Sequence, residues 1–132
     1  MFQLSRKAEY AIRAMLCLAE KPVDTISSLN QIASSAEASH TFLAKILQQL
    51  GREGMVRSMR GAAGGFQLGR AARDINLLEI IETIEGPMYM NRCIMRAGLC
   101  ERDTTCPVHP VWKAVQERMK NVMQDITLEY LV

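Results

Sequence analysis

Three short apolar stripes at helical spacing, one glycine-punctuated alternating stretch and a long closing stripe predict a mainly α chain with a small β-hairpin. The chain has 132 residues, which fits one small domain or one domain with an appendage. A catalytic cleft closed between two domains does not suit that size. Hydrophobic residues make up 48% and charged residues 23%, so there is enough apolar surface for a folded core. No run approaches the ~20 apolar residues that span a bilayer, and no membrane partner is expected. The opening residues run into an amphipathic stretch containing Glu9 and Arg13, which does not suit a signal peptide. A cytoplasmic protein is therefore expected. Methionine is frequent, at nine residues, and reads as flexible core filler.

The first helix is predicted over about Ser5 to Glu20, where Ala8, Ala11, Ile12, Met15, Leu18 and Ala19 recur at helical spacing. Lys21-Pro22 ends it. Ser28 opens a second helix, with Gln31 three residues on as a capping box requires. The turn Ala36-Glu37-Ala38 leads to Ser39, a second N-cap, and Phe42, Leu43, Ile46, Leu47 and Leu50 line one face of a third helix. Gly54 supplies its stop. Two helices joined by a short turn, behind a longer leading helix, form a helix-turn-helix pattern. Ser39, His40, Thr41 and Lys45 stand near the start of its second helix, where small polar and basic groups can reach bases and phosphates.

Met55 to Met59 alternates as a strand does, Arg60 to Gly65 is a glycine-rich turn, and Phe66-Gln67-Leu68 is the return strand. The turn lacks the Gly-Lys-Ser/Thr ending of a nucleotide-binding loop. A hairpin directly after a helix-turn-helix makes a winged helix. Arg57, Arg60 and Arg70, with Gly61 and Gly65, are expected to bring the wing against DNA backbone or minor groove.

Asp74 to Glu79 starts a fourth helix capped by Asn76, with Glu79 completing a capping box, and Gly86-Pro87 ends it. A long polar loop from about Met88 to Cys106 follows, and a loop of that length needs something to organise it. The last stripe runs from Val108 through Val111, Trp112, Val115, Met119, Val122, Met123 and Ile126 to Tyr130. It predicts a helix of some 22 residues, roughly 33 Å long. A body this small cannot cover such a stripe alone, so a second copy is expected to pack on it as a two-fold homodimer. The predicted architecture is a winged helix-turn-helix plus a long C-terminal dimerisation helix. Residues 1–73 form the DNA-binding region, and residues 74–132 hold the cysteine loop and dimerisation helix.

Charge divides in the same place. Residues 1–73 hold ten Lys and Arg against five Asp and Glu, and residues 74–132 hold six against nine. The halves carry +5 and −3, returning the net +2 of the whole chain. A basic front half suits a polyanion.

Of four cysteines, Cys17 sits among apolar residues of the first helix and reads as a small buried hydrophobe. Cys93, Cys100 and Cys106 are separated by six and then five residues. A trio leaves one thiol over from any disulfide pairing, and clustered thiols in a reducing compartment point to metal or redox chemistry. Structural zinc prefers gaps of two to four residues, whereas iron–sulfur clusters accept wider ones and normally take four ligands. His109 stands three residues past Cys106 and is within reach of the fourth position. A carboxylate from elsewhere is the alternative.

Four stretches in this order resemble the IscR/NsrR family of bacterial iron–sulfur transcription regulators. They are Leu4-Ser5-Arg6-Lys7-Ala8-Glu9-Tyr10-Ala11-Ile12-Arg13-Ala14-Met15, the helix stretch from Phe42 to Leu50, the wing from Val56 to Leu68, and the cysteine trio with Cys106-Pro107-Val108-His109-Pro110-Val111-Trp112. The resemblance implies a homodimer with crossing last helices and two winged helices on a palindromic double-stranded DNA operator. It implies a cluster on Cys93, Cys100 and Cys106, with 2Fe-2S favoured over 4Fe-4S. In some members the fourth ligand is a His at the place of His109. In others it is an acidic residue in the partner's first helix, where Glu9 falls. Two departures stand out. The first cysteine gap is six residues where better-known members often have five. Ala44 occupies the place of an acidic base-reading residue, so a different operator is implied.

The expected function is a DNA-binding regulator gated by an iron–sulfur cluster that senses redox state, nitric oxide or iron–sulfur supply. A winged-helix regulator with zinc or direct thiol sensing is the alternative. A thiol oxidoreductase is disfavoured, because the chain has no CxxC pair and no paired catalytic carboxylates.

Overall fold

The computed structural model describes residues 3–132. The first helix, α1 (Arg6–Ala19), is capped by Ser5, whose hydroxyl accepts from the Ala8 N–H. The next, α2 (Leu29–Ala36), begins with the full capping box of Ser28 and Gln31. It ends at Glu37, which adopts the left-handed conformation at φ 57°. That conformation costs a non-glycine residue roughly 1–2 kcal/mol, so the turn into α3 (His40–Arg52) must be held by its surroundings. The strands β1 (Val56–Met59) and β2 (Gly65–Leu68) pair antiparallel, Val56 facing Leu68 and Met59 facing Gly65.

A further tie to the wing was not anticipated. Ser27 bridges Phe66, with both backbone bonds at 2.8 Å, so the segment before α2 is tied to β2 at one point. The glycine at 65 is required by this approach, because a Cβ there would run into the Ser27 carbonyl.

The main core joins Ala11, Ala14, Met15 and Leu18 of α1 to Ile32 of α2 and to Leu43, Ile46, Leu47 and Leu50 of α3. Met55 and Ile75 close it. Cys17 lies inside it, matching the expectation of a buried apolar residue. After a 3-10 turn at Ala72–Asp74 comes α4 (Leu77–Glu85), capped by the Asn76 side chain on the Glu79 N–H. The capping box expected there is half made. The Glu79 carboxylate is held by Arg70 instead, at 2.6 Å.

The last helix needs a larger correction. α5 (His109–Asp125) has 17 residues, about 26 Å, and does not reach Tyr130. Ile126 is extended, Thr127 caps a final short helix α6 (Leu128–Leu131), and Leu128 is fully buried in the main core. The break is secured from outside. Leu77 N–H donates to the Ile126 carbonyl at 2.8 Å and Leu128 N–H to the Ile75 carbonyl at 3.0 Å. Burying Leu128 is worth roughly 1.5–3 kcal/mol, and β-branched Ile126 and Thr127 are weak helix formers. Ile126 and Tyr130 therefore leave the stripe. α5 packs through Met119 and Met123 on a second, smaller core of Leu78, Ile81 and Met88. No helix among the described residues is long and apolar enough to cross a membrane.

Candidate DNA interface and cysteine loop

α3 buries Leu43, Ile46, Leu47 and Leu50 and turns His40, Thr41 and Lys45 to solvent. Gln48 and Arg52 extend the same outer face, since they follow Thr41 and Lys45 by seven residues, close to two helical turns. These two were missed in the sequence, although their spacing from Thr41 and Lys45 was visible there. Ser39 is exposed, but its hydroxyl accepts from the Phe42 N–H at 3.3 Å and so serves first as the cap of α3.

In the wing, Arg57 is an exposed strand residue opposite Gln67, and Arg60 stands at the exposed start of the turn. Gly61 adopts φ 107°, open only to glycine at low cost, and nothing crowds it. Gly65 is half-buried against Ser27 rather than at the tip. Arg70 must be withdrawn from the wing surface. Its guanidinium donates to the Asp74 carbonyl, the Glu53 carbonyl and both oxygens of Glu79. That arginine ties the wing base to α4. By contrast, Lys45, Arg52, Arg57 and Arg60 take part in neither ion pair found among the described residues. They leave a free cationic surface along α3 and the wing.

The cysteine loop leaves α4 at Gly86 and returns at His109. Its first end is pinned to α4 and α5. Met88 N–H donates to the Glu82 carboxylate at 3.1 Å and Met90 N–H to the Gln116 side chain at 2.7 Å. Cys106 N–H closes a turn on the Arg102 carbonyl at 2.7 Å. Between these points Cys93 sits in a 3-10 turn at Arg92–Ile94, anchored by buried Ile94. Cys93, Cys100 and Cys106 are all free and half-buried. His109 is the first residue of α5, and of the two expected first-turn prolines Pro110 lies inside the helix and Pro107 before it. The His109 ring is buried, and its Nδ1 has no hydrogen-bond partner. A buried nitrogen left unpaired costs roughly 1–3 kcal/mol and asks for a partner. Glu9 lies exposed in the first turn of α1.

As chemistry the donor set fits a thiophilic metal group: three free thiols and one orphaned imidazole nitrogen on one loop. As geometry it is open, since no three such donors among the described residues stand close enough to share one metal ion.

A basic reading helix beside a basic β-wing defines a winged-helix DNA-binding protein of the transcription-regulator class. The chain belongs to the Rrf2 family, described as iron-dependent transcriptional regulators, whose pattern it matches over residues 4–132. It is 32% identical to the HTH-type transcriptional regulator IscR of Xenorhabdus nematophila over 130 residues, covering 98% of this chain and 79% of that one. Among solved structures, IscR of T. potens superposes with a TM-score of 0.78 at 29% identity, covering 98% of this chain and 85% of that one. CymR, described as the global cysteine regulator of B. subtilis, superposes with a TM-score of 0.81 at 30% identity, covering 99% and 96%. These relatives are regulators and not enzymes, as expected for this chain.

Proposed function

We propose that this transcription regulator binds a palindromic operator as a homodimer, and that an iron–sulfur cluster on Cys93, Cys100 and Cys106 controls the binding. The observation that carries the reading is the pairing of three free, half-buried thiols with the unsatisfied Nδ1 of His109 at the head of α5. His109 is the preferred fourth ligand because it is local. Glu9 of a second copy is the alternative, and its exposure and lack of an ion pair suit that role. When bound, the cluster supplies a redox-active cross-link that oxygen or nitric oxide can break. Ordering the loop would then be coupled to ligand supply, because free energy of metal binding becomes free energy of folding. Gln116 and Glu82 hold one end of that loop on α5 and α4, so order in the loop reaches the helix expected at the dimer seam.

On the DNA side, Ser39, His40, Thr41 and Lys45 face the major groove, and Arg57, Arg60 and Gly61 form the wing contact, while Gly65 serves the wing by its close packing on Ser27. Lys45 and Arg57 supply phosphate contacts and salt dependence, and Arg60 reaches a base edge. Gly61 lets the turn lie close to the backbone of the duplex.

Direct thiol sensing is the second reading. The likeness to CymR and the absence of donor convergence among the described residues favour it. An anaerobic absorption spectrum with iron and sulfide analysis separates the two. The cluster reading expects a brown protein that turns colourless in each of Cys93→Ala, Cys100→Ala and Cys106→Ala, while Cys17→Ala keeps its colour. A colourless wild type, purified without oxygen and free of iron and sulfide, overturns it in favour of thiol chemistry.

A further inference from the structure

Arg13 is an exposed residue of α1, and it joins three elements of the reading head. One arm of its guanidinium donates to the Ala36 carbonyl at 3.2 Å. That carbonyl ends α2 and belongs to the group of helix-terminal acceptors that no intrahelical donor can satisfy. The same guanidinium lies 5.7 Å from the centroid of the Tyr10 ring. Tyr10 in turn meets Phe42 edge to face, with centroids 5.6 Å apart and planes at 86°. Phe42 is in the first turn of α3, where its N–H is held by Ser39. The bond, the stack and the aromatic pair converge on the α2–α3 turn, whose first residue, Glu37, is left-handed without being glycine. A turn that the chain does not favour by itself needs such external clamps.

We propose that Arg13 is a positioning residue for DNA recognition: through Ala36 and the Tyr10–Phe42 pair it sets the angle at which α3 enters the groove. The proposal rests on α3 being the reading helix. Arg13 acts here by geometry, and its charge is not spent on a phosphate. Positioning contributes to base readout, which is sensitive to small tilts, and contributes nothing to sequence-independent backbone attraction. Substitution therefore lowers specific affinity and leaves non-specific affinity alone.

The test uses two duplexes, one enriched by the wild-type protein from a random-sequence library and one scrambled from it. Arg13→Met keeps the aliphatic stem, Arg13→Lys keeps the charge, and Tyr10→Leu removes the ring while leaving Arg13 in place. Arg13→Met and Tyr10→Leu are expected to lose on the order of tenfold in affinity for the enriched duplex, the size of one good base contact. Their affinity for the scrambled duplex and their salt dependence should match the wild type. Arg13→Lys should fail to restore specific affinity, because an ammonium cannot replace the planar guanidinium between carbonyl and ring. Equal losses on both duplexes with a salt slope reduced by about one would make Arg13 a phosphate contact and overturn the proposal. Unchanged binding in both Arg13→Met and Tyr10→Leu overturns it too. If Arg13→Met loses its helical circular dichroism, Tyr10→Leu alone decides. A wild type that enriches no duplex defeats the reading of α3 itself, which is a separate failure.

Discussion

The reading head and the long helix α5 are built to different standards. In the head, Met15, Ile32, Leu43, Ile46 and Leu50 are wholly buried, and every one of its helices contributes to one core. α5 is longer than any of them, yet its one buried residue is His109. Val108, Val111, Val115 and Val122 are exposed at steps of three, four and seven, a coiled-coil seam with nothing on it in the single chain. A helix in water is stabilised mainly by the surface it packs against. The core of the head is closed within the one chain, with Ile75 and Leu128 completing it, whereas the exposed face of α5 is the one proposed to take a second copy. On the proposed function, that asymmetry puts groove geometry with the fully packed core. It leaves the proposed response to a signal to the cysteine loop and α5.

The contrast is broken most strongly at the seam. Val115→Asp or Val122→Asp would bury an unpaired charge in the proposed dimer at a cost of several kcal/mol. Sedimentation should show monomer while circular dichroism stays unchanged. A dimer that survives both changes puts the interface elsewhere. Leu128→Ala attacks the head from the far end of the chain. It should cost roughly 2–5 kcal/mol in urea unfolding, as large-to-small changes in a core do. Tyr130→Ala, two residues on and largely exposed, should cost almost nothing, and similar costs for the two would place the end of the chain outside the core. Arg60→Ala should weaken operator binding by roughly 1–3 kcal/mol with folding stability intact, which a binding titration beside a melt would check. Glu37→Gly is the mildest change. It relieves the left-handed turn and should raise stability by up to about 1 kcal/mol. A loss of stability would show that the Glu37 side chain has a role of its own.

Local signals carried most of the head. Ser28 with Gln31, Ser39 and Asn76 each announced a helix start, because a cap needs only residues three apart. Glycines and alternation marked the wing for the same reason. Expectation failed where distant segments decide. Arg70 looked like one more wing cation until Glu79 and Glu53 were placed beside it. The periodicity through Ile126 to Tyr130 was genuine, but Ile75 and Leu77 offer that stretch backbone partners that helix cannot use. Arg13 was passed over because its carbonyl partner lies on α2 and its ring partner matters only through Phe42 of α3. The cysteines were legible as a group, and their spacing said nothing of how the loop would hold them apart.

The Ser27–Phe66 bridge braces the two-stranded stem of the wing against the segment before α2, with Gly65 as the residue that lets them touch. Only residues 60–64 project beyond it. A hinge is thereby turned into a socket. Insertions or exchanges in that short tip can lengthen or recharge its reach over a duplex without disturbing the helix beside it. Operator preference can drift one element at a time, which is a route by which copies of such a gene can part company while keeping the same folded head.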